Sequence, residues 1–90
     1  MNVRVDKYAL ELKPSAQKEL DALDDPLFAR IDAKIMGLAV NPRPTGCKKL
    51  KGYGDHWRIR LSDYRVIYIV DDAAKSVIVT RIAHRREVYD

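Results

Sequence analysis

Residues 57–70 alternate between apolar and polar side chains, which is the pattern of β-strands that have one buried face. The alternation covers residues 57–61 and 64–70, and only Ser62 and Asp63 separate the two runs. Two such runs joined by two residues predict a β-hairpin, although Ser-Asp is not the ideal Asn-Gly turn. No other segment constrains the fold as strongly, because the turn sets the register and the register sets which side chains share a face.

The register of this hairpin predicts two faces of different chemistry. Leu61 lies opposite Tyr64, Ile59 opposite Val66, Arg58 opposite Ile67 and Arg60 opposite Arg65. Because side chains alternate along a strand, one face is apolar and packs on the core. The apolar face comprises Trp57, Ile59, Leu61, Tyr64, Val66 and Tyr68. The other face, which we expect on the solvent side, carries Arg58, Arg60 and Arg65.

Clustered arginines on one sheet face oppose folding, because like charges directly across from each other repel. This stretch of the hairpin places no Asp or Glu on the arginine face, and only Asp63 in the turn is near enough to neutralise one guanidinium. The arginine face has two possible interpretations: a solvated charged face, or a site for an anion. We favour the anion site, because arginine stays charged and binds phosphate through two donors.

The rest of the chain predicts an α+β fold in a single domain spanning residues 1–90. Alternation around Tyr8 predicts a first strand, and Pro14 opens a helix. Asp25-Pro26 is predicted to cap and start a second helix, antiparallel to the first, that runs to about Val40. A basic loop follows, with a short extended piece at 49–51, and residues 77–83 complete a three-stranded antiparallel meander whose one face packs on the helices.

The third strand of the meander is apolar on both faces, so its orientation is the least constrained. We place Ile78 and Ile82 toward the core, which turns Val79, Arg81, Ala83 and Arg85 toward the arginine face. The segment after this strand then brings His84, Arg86 and Tyr89 to the same rim as Arg85.

Charge is distributed unevenly along the chain, whose net charge is +4. Residues 1–42 hold six Lys/Arg and seven Asp/Glu, whereas residues 43–90 hold eleven and six. A basic half indicates either a polyanionic partner or simply a solvated basic surface. The lysines of the loop, Lys48, Lys49 and Lys51, together with Arg81 and Arg86, are the residues expected to contact such a polyanion.

Cysteine and histidine are too few to suggest a metal site. Cys47, His56 and His84 are the only soft or imidazole ligands, so we expect no zinc and no cofactor. The N-terminal residues do not resemble a signal peptide, and no apolar run is long enough to span a membrane. We therefore expect a cytoplasmic protein that does not associate with a membrane.

Cleavage of RNA needs a base for the 2′-hydroxyl proton, charge stabilisation at the phosphate and an acid for the leaving oxygen. Arginines supply the charge stabilisation but cannot serve as bases. His84 and Tyr89 are the remaining candidates for proton transfer, and the rings of Tyr53 and Tyr89 are candidates to stack on a base. A histidine or tyrosine near a chain end is also commonly a plain surface or packing residue.

Four segments together resemble the RelE/ParE toxin superfamily. They are Lys49-Leu-Lys-Gly52, Gly54-x-x-Trp-Arg-Ile-Arg-Leu61, Asp63-Tyr-Arg-Val-Ile-Tyr68 and Ile82-Ala-His-Arg-Arg-Glu-Val-Tyr89. The resemblance covers nearly the whole chain. It implies a RelE-like fold and the toxin of a type II toxin–antitoxin pair, neutralised by a RelB-type antitoxin in a heterotetramer or larger complex.

RelE-type members are endoribonucleases that cut mRNA in the ribosomal A site without a metal, which makes mRNA and the ribosome the implied partners. By position, the resemblance implies catalytic roles for Arg58, Arg60, Arg65, Arg85 and Tyr89. Some members carry lysine at the positions of Arg58 and Arg60. Because lysine can lose a proton and arginine effectively cannot, the identity of the base is open, and His84 joins the candidates.

Two other functions fit the same residues. A ParE-like toxin shares the fold but poisons DNA gyrase, so its arginine face need not be catalytic. A nucleic-acid binder without turnover is the third reading. The combination of Arg58, Arg60, Arg65, Arg85 and Tyr89 favours the nuclease.

Overall fold

The structure is a computed structural model that describes residues 7–52 and 54–87, the last of these by its backbone only. Its two helices follow the first strand and precede the others. The helices are α1 (Pro14–Asp21) and α2 (Leu27–Gly37). The strands are β1 (Ala9–Leu12), β2 (Lys48–Lys49), β3 (His56–Leu61), β4 (Tyr64–Asp71) and β5 (Ser76–His84), and a 3-10 turn follows at Arg85–Glu87.

The strands form one sheet in the order β1-β5-β4-β3-β2. The predicted antiparallel meander is its centre, since β3 pairs with β4 and β4 with β5 in antiparallel register. The two edge strands differ from the sequence-based expectation. β1 runs parallel to β5, and the short extended piece is Lys48–Lys49, where we expected residues 49–51.

The hairpin register is the one the sequence predicted. Leu61 pairs with Tyr64 and Arg60 with Arg65 across a turn formed by Ser62 and Asp63 alone. Ser62 adopts a φ of 56°, in the left-handed region that the mirror-image turns of two-residue hairpins require. The turn therefore forms without the usual glycine or asparagine.

The core lies between the helices and one face of the sheet. The sheet supplies seven buried residues: Ile59, Val66, Tyr68, Val70, Val77, Val79 and Ile82. The helices and the turn after them supply Ala16, Leu20, Ile31, Ile35 and Leu38. Trp57, Leu61 and Tyr64 are partly buried against this cluster, so the predicted apolar face of the hairpin is confirmed.

A β-bulge in β5 overturns part of the predicted facing of that strand. Val79 pairs with Tyr68 but Arg81 pairs with Ile67, so Thr80 is an extra residue in the ladder. An extra residue changes which face the following side chains take. Val79 is therefore buried in the core, where we expected it on the arginine face, and Ile78 pairs with Ile69 on the other side.

The helix boundaries differ from the predicted ones at α2. Pro14 is the first residue of α1, as expected, but Asp25 is not the cap of α2. The helix begins at Leu27 with Pro26 as its N-cap residue, and no side chain caps it. It ends at Gly37 rather than near Val40. The N–H groups of residues 38–40 each donate to the carbonyl three residues earlier, so a turn follows the helix. Neither helix of the described segments is long and apolar enough to cross a membrane.

Candidate nucleic-acid interface

The strand pairings align basic side chains across the face of the sheet that lies away from the helices. Lys48 pairs with Arg58, Arg58 with Ile67, and Ile67 with Arg81, which forms one row across four strands. The neighbouring row consists of Arg60, Arg65 and Ala83. We call Lys48, Arg58, Arg60 and Arg65 the basic face.

Two arginines of the basic face are buried, which the sequence did not predict. Arg58 is 3% exposed and Arg65 is 7% exposed, whereas Arg60 is exposed. We had expected all three on the solvent side. A guanidinium that has lost most of its hydration interacts more strongly with an anion than a solvated one, since the local dielectric is lower.

Arg85 lies at the turn end of the hairpin, next to the row that holds Arg60 and Arg65. Its backbone N–H donates to the carbonyl of Asp63 at 2.7 Å, and its Nε lies 3.7 Å from the Asp63 carboxylate. Asp63 is the turn carboxylate that the sequence offered as a partner for one arginine, and Arg85 is the arginine it pairs with. The two side chains are largely exposed, so the contact orients Arg85 more than it stabilises the fold.

His84 is directed away from the basic face. It pairs with Tyr64, whose side chain packs on the core, and the two rings meet edge to face with centroids 5.5 Å apart. The backbone N–H of Arg86 donates to His84 Nδ1 at 3.2 Å. His84 and a phosphate bound at Arg65 would therefore lie on opposite faces of the sheet. A proton passing between them would have to cross β5.

The remaining predicted RNA-binding residues are spread around the sheet. Arg81 forms an ion pair with Glu19 of α1 at 3.6 Å, so α1 partly neutralises its charge. Lys49 pairs with Trp57, and its ammonium group lies 5.9 Å from the centre of that ring, on the helix side of the sheet. Lys51 and Arg86 are exposed, in a turn and in the 3-10 turn. Tyr53 and Tyr89 lie outside the described residues.

A polar cluster that the sequence did not reveal supports the loop before β2. Arg43 donates two hydrogen bonds to Asp72, at 3.2 and 2.8 Å, and its guanidinium lies 5.0 Å from the centre of the Trp57 ring. The Tyr8 hydroxyl donates to Asp72 at 2.7 Å. Hydrogen bonds from Arg43 and then Tyr8 lower the pKa of Asp72 to about 2.

Tyr68 anchors the same loop from inside the core. Its hydroxyl donates to the Pro42 carbonyl at 2.7 Å, and burial raises the pKa of this phenol above its ordinary value. These contacts join residues far apart in sequence, so no local pattern signals them. Together they hold the loop that leads into the lysine end of the basic face.

Sequence comparison establishes the class of protein. The chain belongs to the family of ParE toxins of type II toxin–antitoxin systems, whose family model matches residues 10–89. The chain is thus a toxin of a type II toxin–antitoxin system, of the RelE/ParE superfamily that the sequence resembles.

The named relatives are RelE toxins. The chain is 28% identical over 86 residues to RelE1 of Methanocaldococcus jannaschii, covering 92% of this chain and 96% of that one. It is 35% identical over 52 residues to toxin RelE3 of the same organism, but that match spans only 58% of this chain and 57% of RelE3. The RelE–RelB complex of Pyrococcus horikoshii superposes with a TM-score of 0.79 at 29% identity, covering 91% of this chain and 99% of its counterpart.

Proposed function

We propose that this toxin is a RelE-type endoribonuclease that cleaves mRNA in the ribosomal A site without a metal ion, and thereby inhibits translation. The observation that carries the proposal is the direct pairing of Arg60 with Arg65 on one face of the hairpin. Two positive charges placed side by side repel each other, and they favour an anion that lies next to both. A phosphodiester fits, because each guanidinium offers paired donors to phosphate oxygens.

The surrounding residues match what the reaction requires at the phosphate. A base removes the 2′-hydroxyl proton, the 2′-oxygen bonds to the adjacent phosphorus, and the bond to the 5′-oxygen breaks as an acid protonates it. Negative charge accumulates on the non-bridging oxygens in between. Arg65, Arg60 and Arg58 are the groups we assign to this charge, with Arg85 held at the rim by Asp63.

Proton transfer belongs to His84 or Tyr89, the two candidates from the sequence. His84 lies beside Tyr64, away from the basic face, and this position makes it the less favoured of the two candidates. The arginines themselves remain protonated and take no part in moving the proton.

The partners follow from the class. We propose that a RelB-type antitoxin neutralises this toxin in the cytoplasm, because similar RelE toxins of Pyrococcus horikoshii and E. coli are solved in complex with RelB. We expect the complex to be a heterotetramer or larger. Messenger RNA and the ribosome are the proposed targets, and the lysines of the β2 loop with Arg81 and Arg86 are the proposed auxiliary RNA contacts.

The second candidate is a gyrase poison, and the family match favours it, because the matching family model describes ParE toxins. Under this function the basic face would bind protein or DNA without cleaving RNA. The nuclease is favoured by the RelE names of the relatives and by the position of Arg58, Arg60 and Arg65 on one face of the hairpin.

Two assays with one protein preparation distinguish the candidates. Primer extension on ribosome-bound message maps cleavage, and a supercoiling assay with purified gyrase measures poisoning. The proposal expects message cut within the A-site codon and unchanged supercoiling. Intact message together with arrested supercoiling would replace it by the ParE-like function, and neither effect would leave a binder without turnover.

A further inference from the structure

A basic cavity lies at the open edge of β3, beside the pair of Arg60 and Arg65. Its volume is about 310 Å³, and four of its lining residues are cationic: Lys34, Lys48, Arg58 and Arg60. The other lining residues are Thr45, Gly46 and Ile59, so no carboxylate lines the cavity among residues that the structure describes. Lys34 comes from α2 and was not among the residues that the sequence singled out.

The cavity exists because β2 is short. Lys48 and Lys49 pair with Arg58 and Trp57, and the ladder ends there, so the outer edge of β3 is uncovered from Ile59 onward. Leu50 N–H donates to the His56 carbonyl, which shows that the even-numbered residues of β3 direct their backbone groups toward β2. By the same alternation the N–H of Arg60 points past the end of β2, toward the cavity side.

Three of the four cations at this cavity have no acidic partner among the described side chains. Lys34, Lys48 and Arg60 form no ion pair with a carboxylate of residues 7–52 or 54–86. The fourth, Arg58, is buried and has a partner within the protein. Cations gathered without acids around a concave space raise its potential and favour an anion there.

The loop wall of the cavity is held in place before any ligand arrives. Cys47 N–H donates to the Pro44 carbonyl, closing a turn with Thr45 and Gly46 at its centre. Gly46 has a φ of 93°, a conformation that side-chain-bearing residues rarely adopt. The hydrogen bonds of Arg43 to Asp72 fix the start of the same loop, so little ordering is left to oppose binding.

We propose that this cavity binds a second phosphodiester of the RNA strand, next to the one held between Arg60 and Arg65, with Lys34 and Lys48 as its added ligands. The inference rests on the proposed function, since it extends the path of the same substrate. Arg60 borders both sites, and Arg65 is one strand spacing away, roughly 5 Å. A single strand lying across the edge of β3 therefore contacts both sites.

The test measures binding without cleavage. A short single-stranded RNA with 2′-O-methyl groups throughout has no nucleophile, so its dissociation constant is independent of nuclease activity. We expect Lys34→Gln to raise this constant several-fold and to lower the slope of log affinity against log salt by about 0.7 to 1. Lys18→Gln, an exposed lysine of α1 outside the cavity, is the matched control and leaves both unchanged. Lys48→Gln repeats the effect of Lys34→Gln from the opposite wall.

A titration with inorganic phosphate distinguishes a site for an RNA phosphodiester from a site for free phosphate. The amide resonances of Thr45, Gly46 and Lys48 report the binding. Saturable shifts in the wild type that disappear in Lys34→Gln, together with the weakened oligonucleotide, support the proposal. Phosphate shifts with unchanged oligonucleotide affinity would mean a site for free phosphate and would overturn it, as would no effect in either measurement. If the wild-type toxin does not cleave message in the ribosome assay but its binding to the oligonucleotide still depends on Lys34, the nuclease function is refuted and the cavity proposal is not.

Discussion

Arg60 and Arg65 lie directly opposite each other on β3 and β4, so the hairpin carries two like charges at the closest cross-strand distance. This relationship predicts that function and stability oppose each other here. Arg60→Gln removes the repulsion at an exposed position, and we expect the free energy of unfolding to rise by roughly 0.2–1 kcal/mol. Urea denaturation measures it, with Arg30→Gln on the exposed side of α2 as the control. A destabilised Arg60→Gln protein would mean that the pair does not repel.

Arg65→Lys tests the assignment of Arg65 to the phosphate. Lysine keeps the positive charge but cannot offer the paired donors of a guanidinium, so we expect A-site cleavage to fall about 100- to 1,000-fold. Because Arg65 is buried, circular dichroism and the unfolding midpoint must first show that the variant is folded. Arg30→Lys serves as the matched control. Cleavage within threefold of wild type in a folded Arg65→Lys protein would remove Arg65 from the site.

The identity of the proton-transfer group is tested by a pair of variants. His84 packs on Tyr64 away from the basic face, so we expect His84→Gln to keep cleavage within about tenfold and to leave the pH–rate profile in place. Tyr89→Phe is expected to reduce cleavage more strongly. A loss of at least 100-fold in His84→Gln, together with a changed pH–rate profile, would assign the proton transfer to His84 instead.

Asp72 predicts an acid-dependent contribution to stability. Its pKa is about 2 in the folded chain and about 4 when unfolded, because Arg43 and Tyr8 hydrogen-bond to its ionised form. The stability it contributes is therefore complete above about pH 4 and is lost as the pH falls toward 2. We expect Asp72→Asn to flatten the dependence of the thermal midpoint on pH in this window, whereas Asp21→Asn on α1 preserves it. An unchanged slope in Asp72→Asn would contradict the contact.

Tyr68→Phe tests whether the core anchors the loop beside the cavity. The variant leaves the buried Pro42 carbonyl without its donor, and we expect the free energy of unfolding to fall by about 1 kcal/mol. If the loop wall preorganises the cavity, the Lys34-dependent affinity for the 2′-O-methyl oligonucleotide also falls. Tyr64→Phe, which alters a partly buried tyrosine away from this loop, is the comparison.

The sequence by itself determined the centre of this fold and the chemistry of one face. Two-residue spacing between alternating runs has a single natural outcome, a hairpin, and the period of two then places Arg60 across from Arg65. The class of toxin was recognisable from the same residues together with those after β5. These are local relationships, so neighbouring residues along the chain are enough to predict them.

Only the tertiary structure decided what depends on contacts between distant segments. The bulge at Thr80 accompanies burial of Val79 in the core, and both faces of β5 were apolar enough in sequence to allow either orientation. Burial of Arg58 and Arg65, the contact of Arg43 with Asp72, and the approach of Lys34 to β3 each join residues that no local pattern relates. Such contacts depend on how separate elements pack, and packing is a property of the whole chain.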